Sequence, residues 1–423
     1  MNSRDLLVQS FHAALAACDS AKVVPPHLPK PPKGRTLVVG AGKAGGSMAR
    51  AVEDNWPAEA PLSGLVITRY QHKVDTRRIT VIEAGHPVPD EAGGKAARQI
   101  LDEVKTLGPD DLLLCLMSGG GSALMTLPAP GLTADDMKTV NKSLLRSGAA
   151  IQEMNVVRKH LSASQGGRLA AACKAPVVAL IISDVTGDDP THIGSGPCAP
   201  DPSTYEDALS IIARYEVEAP KAVMDHLKAG QAGKIGETPK PGDPLFARVE
   251  NKVIATSQNV LRAAEAFFQS QGIITAILGD SITGESREVA KVMGGIARQV
   301  QAHGHPWPCP VAILSGGETT VTVRGKGRGG RNVEFLLSLA IDLDGATGIH
   351  ALAADTDGID GSEDNAGAVL GPDSLARGRE AGMKALAYLE NNDAYTFFQG
   401  LDDLLVTGPT LTNVNDYRAI LIE

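Results

Sequence analysis

Short apolar runs recur along the chain, each closed by glycine, proline or aspartate and separated from the next by a stretch of helical periodicity. In the first half they are Thr36–Val39, Gly64–Thr68, Ile79–Glu83, Leu112–Met117 and Val177–Ser183. They are too short for helices, rich in leucine and β-branched residues, and lack the alternation of a half-exposed strand. They therefore predict buried parallel strands joined by helices, which is a doubly wound, Rossmann-like α/β domain. The second half continues with Val253–Thr256, Ile274–Leu278, Val311–Ser315, Thr319–Val323, His350–Ala354 and Arg418–Ile422. Only Gly316-Gly317-Glu318 separates Val311–Ser315 from Thr319–Val323, so a hairpin is possible there and a smaller α/β domain with a mixed sheet is predicted. An amphipathic helix over Arg4–Cys18 opens the chain, and the proline-rich stretch 24–32 stops it. The stretch Gly230–Pro244 turns to Gly, Lys and Pro and reads as the linker, which places the domains at residues 1–240 and 241–423.

Composition narrows the classes. A chain of 423 residues is too long for one ordinary core. A net charge of −9 with 4% aromatic residues does not suit a nucleic-acid surface, so basic residues near glycines read as local anion sites. No apolar run reaches membrane-span length, and Met1-Asn2-Ser3-Arg4-Asp5 lacks the layout of a signal peptide, so a cytoplasmic enzyme is expected. Five cysteines without a CxxC spacing argue against disulfides and structural zinc.

The candidate chemistry lies in the loops that follow the apolar runs. Gly40-Ala41-Gly42-Lys43-Ala44-Gly45 satisfies GxGxxG between a strand and a helix. The next strand, however, ends Thr68-Arg69-Tyr70, with no acid for a ribose hydroxyl. Ala44 after Lys43 also excludes a Walker A loop. Ser118-Gly119-Gly120-Gly121-Ser122 exposes several backbone N–H groups, a nest for phosphate or carboxylate. Arg158, Lys159 and His160 are adjacent and cannot all face one way, so at most one is expected to enter a site. Asp184, Asp188 and Asp189 cluster after a strand, as a magnesium nucleotide requires. In the second half, Ser315-Gly316-Gly317-Glu318 precedes the basic, glycine-rich stretch Arg324–Arg331, which enters a helix at Asn332. Asp355, Asp357 and Asp360 follow another strand, in a spacing that matches no EF-hand loop, and a polar turn, Thr407–Asp416, precedes the last one.

Taken together, VVGAGKA (38–44), SGGGSAL (118–124), VVRKHLS (156–162), ISDVTGDDP (182–190), SGGETTVTV (315–323), GRGGRN (327–332), DTDGIDG (355–361) and TGPTLTNVND (407–416) resemble the glycerate 2-kinase family, whose C-terminal part is called the MOFRL domain. Members are often named hydroxypyruvate reductases. The resemblance implies a Rossmann-like N-terminal domain, a smaller C-terminal domain, a cleft between them, and a lysine and an arginine at the positions of Lys43 and Arg331. The chain departs from the pattern at Gly194 and Leu411, where alanine and glycine are expected.

The resemblance implies ATP- and Mg²⁺-dependent phosphorylation of D-glycerate, and it alone points to the C2 hydroxyl. Lys43, Arg331 and Asp188 are the catalytic candidates. Gly40, Gly42, Ser118, Gly119, Gly120, Gly121 and Ser122 line the nucleotide, with Glu318, Asn332 and Asn413 from the second half, and Asp184 and Asp189 hold the metal. The partners are thus glycerate and a nucleotide, with no nucleic acid and no membrane; a homodimer is left open. The rival reading is an NAD(P)H-dependent hydroxypyruvate reductase, for which Arg69 would accept a 2′-phosphate. A non-catalytic nucleotide-binding regulator is a third.

Overall fold

The computed structural model describes residues 1–423. Its strands are β1 (Thr36–Ala41), β2 (Leu62–Arg69), β3 (Ile79–Ala84), β4 (Leu112–Met117), β5 (Val177–Ile182), β6 (Val249–Ala255), β7 (Ile274–Gly279), β8 (Gly284–Glu285), β9 (Val311–Ser315), β10 (Thr319–Thr320), β11 (Ile349–Asp355), β12 (Gly367–Leu370), β13 (Leu404–Leu405) and β14 (Asp416–Ile422). The chain divides into two compact units. The N-terminal unit is Ser20–Ile254, and the C-terminal unit joins Met1–Asp19 to Ala255–Glu423.

The first six strands form one sheet in the order β3-β2-β1-β4-β5-β6, with β1 to β5 paired in parallel. β1, β4 and β5 are buried at every position, as their unbroken apolar runs require. The order runs one way from β1 to β3 and the other way from β4 to β6. The crevice outside the carboxyl ends of β1 and β4 is therefore the topological switch point, where doubly wound sheets bind ligands. Leu37, Val39, Leu113, Cys115, Val177 and Ala179 pack from these strands into one core. A second cluster in the same unit joins Met137, Val140 and Leu144 to Tyr205, Ile211 and Leu227.

In the C-terminal unit the order is β13-β12-β11-β14-β9-β7, and the sheet is mixed as expected. β14 runs antiparallel to both β9 and β11, while β7 and β9 are parallel. The carboxyl ends of β9 and β11 thus meet the start of β14, with Asp355 opposite Asp416 and Ser315 opposite Arg418.

Four expectations are corrected. The division falls at Ala255 rather than after residue 240, because β6 extends the first sheet instead of opening the second. Residues 1–19 belong to the C-terminal unit: Ser10 Oγ lies 2.8 Å from the Tyr417 hydroxyl, Arg4 pairs with Asp403 at 2.6 Å, and Phe11 packs on the Tyr417 ring. Gly230–Pro244 is no free linker. The carboxylate of Glu237 accepts from the Tyr205 N–H at 2.9 Å, Asp201 donates to the Pro239 carbonyl, and Thr238 is buried. Finally, β10 is only two residues long and pairs in parallel with β8, so Val311–Ser315 and Thr319–Val323 make no hairpin.

Candidate active site

At the switch point the loops after β1 and β4 are bonded to each other. Lys43 donates its N–H to the Gly119 carbonyl at 2.9 Å, Ala44 to Ser118 Oγ at 3.0 Å, and Ser118 to the Ala41 carbonyl at 3.2 Å. Glycine is required at 42 because a Cβ there would stand 2.0 Å from Ser118 Oγ. A Cβ on Gly40 would meet the Leu116 carbonyl oxygen at 1.9 Å. The glycines of the GxGxxG segment therefore make room for the neighbouring strand and its loop, not for a pyrophosphate. The N–H groups of Gly42, Lys43, Ala44 and Gly45 are all used inside the protein.

The loop after β4 is different. Ser118 and Gly121 spend their N–H groups internally, but those of Gly119, Gly120 and Ser122 find no acceptor in the chain. Gly120 is left-handed, with φ 84°, and a Cβ on it would lie 2.9 Å from the His86 ring. Ser122 Oγ is 2.8 Å from Ser195 Oγ, and Gln165 Nε2 donates to the Ser122 carbonyl at 2.9 Å. The result is a cradle of unmet donors, with the half-buried Lys43 beside it at the end of β1.

Next along the same edge, Met117 pairs with Ile181, so the loop after β5 borders the β4 loop. It carries Asp184 and Asp188, both half-buried, and the exposed Asp189. Asp188 has φ 55°, an uncommon conformation for a residue with a Cβ. Asp189 accepts the Thr191 N–H at 2.9 Å through one carboxylate oxygen. No three or more His, Cys, Asp or Glu side chains form a ready metal cage.

The basic triplet on the helix Ile151–His160 is split three ways. Lys159 is buried and pairs with Asp201 at 3.0 Å. Burial raises the Asp201 carboxyl, but Lys159 and the Ser203 hydroxyl outweigh it and hold the group below its usual range. His160 is buried against the Tyr205 ring, and desolvation lowers its pKa. Arg158 donates to Asn141 and Asn155 and has no acidic partner.

In the C-terminal unit the functional side chains converge on Arg331, the first residue of the helix Arg331–Leu343. Its Nε donates to Asp416 at 2.8 Å, Nη1 to Glu318 at 2.8 Å and Nη2 to Asp355 at 2.7 Å. Burial works against its charge, but the three carboxylates outweigh this and hold it firmly protonated. Glu318 is 53% exposed, whereas Asp355 and Asp416 are 5% and 0% exposed. Asp416 also accepts from the fully buried Arg418, whose Nη1 reaches the Gly316 carbonyl. Asp360 closes the helix start, accepting the N–H groups of Asn332 and Val333 at 3.0 and 2.9 Å. Complete burial raises Asp360 to a pKa of about 6.

The profile of a domain of unknown function, DUF4147, matches residues 6–228, and that of the MOFRL family matches residues 311–416. A protein of Agrobacterium vitis, provisionally named hydroxypyruvate reductase, is 52% identical over 100% of this chain and 95% of its own. A D-glycerate 2-kinase of Thermotoga maritima is 38% identical over 98% of this chain and 97% of its own. The chain belongs to the MOFRL-domain glycerate kinase family. The crystal structure of a glycerate kinase from Thermotoga maritima superposes on it with a TM-score of 0.88 and 37% identity, covering 99% of both chains.

Within this glycerate kinase fold, several expected site residues take internal roles. Asn332 is fully buried, and its amide nitrogen donates to Asp416 and Asp360, bracing the helix start, while its amide oxygen has no partner in the chain. Asn413 is 3% exposed. Arg331 is not a bare cation but the centre of three acids. Ser195, Gln165 and His86, which contact the cradle, were missed: each is a lone residue with no spacing signal. The family departures also find a place. Leu411 has φ 62° where the family pattern expects glycine, and no helix of the chain is long and apolar enough to cross a membrane.

Proposed function

We propose that the protein transfers the γ-phosphoryl group of ATP to the C2 hydroxyl of D-glycerate, giving ADP and 2-phosphoglycerate. The observation that carries this is the trio of unmet N–H groups at Gly119, Gly120 and Ser122, set at the switch point of a parallel sheet. Such donors suit phosphate oxygens. Phosphoryl transfer depends on positioning and neutralising charge rather than on covalent chemistry by the protein. Lys43 neutralises the phosphoryl group in transit. The C2 oxygen attacks phosphorus, the bond to the ADP oxygen breaks, and the hydroxyl proton passes to Asp188. Arg331 takes the glycerate carboxylate in exchange for Glu318, the one exposed carboxylate of its three. Mg²⁺ bound with the nucleotide would neutralise the phosphate oxygens. Asp184 and Asp189 are the residues that would hold it, and the want of a dedicated cage suits an ion held by one or two carboxylates plus phosphates.

The reductase reading is weakened by the first loop, whose glycines and N–H groups serve the adjoining strands and the loop after β4, and by the close of β2 at Thr68-Arg69 without an acid. The test incubates purified protein with D-glycerate, ATP and Mg²⁺ and identifies the product by phosphorus NMR. A parallel sample holds hydroxypyruvate with NADH or NADPH and is followed by nucleotide absorbance. A 2-phosphoglycerate signal with no hydride transfer is expected; oxidation of the nicotinamide with no phosphorylated product overturns the proposal.

A further inference from the structure

Ser195 has no part in the chemistry above, yet its geometry is unusual. Gly194, Ser195 and Gly196 are three consecutive left-handed residues, with φ of 57°, 59° and 58°. Glycine adopts this freely; a serine between two glycines does not, and persists there only where its surroundings fix it. They do: the Ser195 carbonyl accepts the Gly166 N–H at 2.9 Å, the Gly196 carbonyl accepts that of Gly167 at 2.7 Å, and Ser195 is 0% exposed.

The side chain is aimed at one atom. Ser195 Oγ lies 2.8 Å from Ser122 Oγ and has no other partner. A hydroxyl out of reach of water places its hydrogen on whatever acceptor it has. For Ser195 that acceptor is Ser122 Oγ, so Ser195 donates and Ser122 accepts. The hydrogen of the half-buried Ser122 is then turned elsewhere, on the same residue whose N–H lies open in the cradle with those of Gly119 and Gly120. The main chain of Ser122 is fixed as well, its carbonyl accepting from Gln165 Nε2 at 2.9 Å and from Thr126 Oγ1 at 3.0 Å. We propose that Ser195 is a positioning residue for the nucleotide: by donating to Ser122 Oγ it makes the Ser122 hydroxyl a donor to a phosphate oxygen of ATP. This rests on the reading of the β4 loop as the phosphate site.

Ser195→Gly is the informative variant, because glycine accepts the left-handed backbone and removes only the hydroxymethyl group. It is compared with Ser122→Ala and with the double variant, measuring ATP and ADP affinity by calorimetry and KM and kcat for both substrates. Ser195→Gly should weaken nucleotide binding and raise the ATP KM by about three- to tenfold, with kcat and the glycerate KM near those of the wild type. Because Ser195 acts through Ser122, the double variant should match Ser122→Ala alone. Wild-type nucleotide affinity in Ser195→Gly, or effects that multiply in the double variant, would overturn the proposal. A wild-type protein that binds ATP with the Ser195 dependence described but leaves glycerate unphosphorylated would overturn the kinase reading and leave Ser195 standing. If it binds no nucleotide, both fall.

Discussion

The two units prepare for charge in opposite ways. In the N-terminal unit the loop after β4 leaves N–H groups unmet and brings no counter-charge of its own, so an incoming anion loses its water to donors already in position. In the C-terminal unit the charge is already matched: the Arg331 guanidinium is shared among Glu318, Asp355 and Asp416 before any ligand arrives. The first arrangement costs little to build and is easily ruined by one atom. The second is a buried ionic network, where removing one member strands the others. Loss of function should therefore come with loss of stability in the C-terminal unit and without it in the N-terminal unit.

The largest effect should follow Arg331→Ala, which leaves Asp355 and Asp416 buried without their cation. A loss of about 3–5 kcal/mol in urea unfolding is expected, together with a raised KM for glycerate. A wild-type unfolding midpoint would break the contrast. Asp360 comes next, through pH. Its carboxyl is protonated below about 6 in the folded chain and below 3.8 when unfolded, so between those values the folded state holds the extra proton. Stability from this group is full below 3.8, falls as pH rises to about 6 and is flat above, by about 3 kcal/mol in all. Asp360→Asn should remove that fall, so that thermal melts from pH 4 to 6.5 move in the variant's favour; parallel curves would show that Asp360 does not titrate there. Asp201 carries the opposite sign, contributing stability above its usual range that is lost as pH falls.

A smaller effect, confined to binding, is expected for Gly120→Ala. Its Cβ meets the His86 ring and forces a left-handed alanine, closing the cradle. The ATP KM should rise about tenfold, which is roughly 1.4 kcal/mol, with a melting temperature within a few degrees of the wild type. An unchanged ATP KM would remove the cradle from the site. The smallest change is a gain. Leu411 is left-handed and half-buried, and Leu411→Gly should relieve that strain by about 0.5–1 kcal/mol. A lower melting temperature would mean that the leucine's packing outweighs its backbone.

The parts of the fold legible in the sequence are those whose signal is local. β1, β4 and β5 are unbroken apolar runs, and SGGGS declares a backbone that must stay bare. β12 and β13 were not foreseen, because four and two residues carry no period. The run Val253–Thr256 reads as the opening strand of the second sheet, because an apolar run says where a strand lies but not which sheet it joins; in the structure it overlaps the end of β6 in the first. In the site, Lys43 and Arg331 were readable as charges beside glycines. The partners of Arg331 were not: Glu318, Asp355 and Asp416 become neighbours only when β14 inserts between β9 and β11. Arg158, Lys159 and His160 show the same limit, since adjacency in the chain could not say that Lys159 is committed to Asp201.

The helix Ser3–Ala16 sets an order on synthesis. Ser10 waits for Tyr417, 407 residues downstream, and Ser3 for Glu423, 420 downstream. At a ribosomal pace of about 5–20 residues per second, that delay is roughly 20–80 s. Until then the apolar side of the helix, Leu7, Phe11 and Ala14, has only part of its native cover, the helix Ser257–Ser270 and then β11 and β12, while Ser20–Ile254 has every strand of its own sheet in hand. The packing of the helix Ser3–Ala16 is thus complete only once β14 is made, long after the strands of Ser20–Ile254 are.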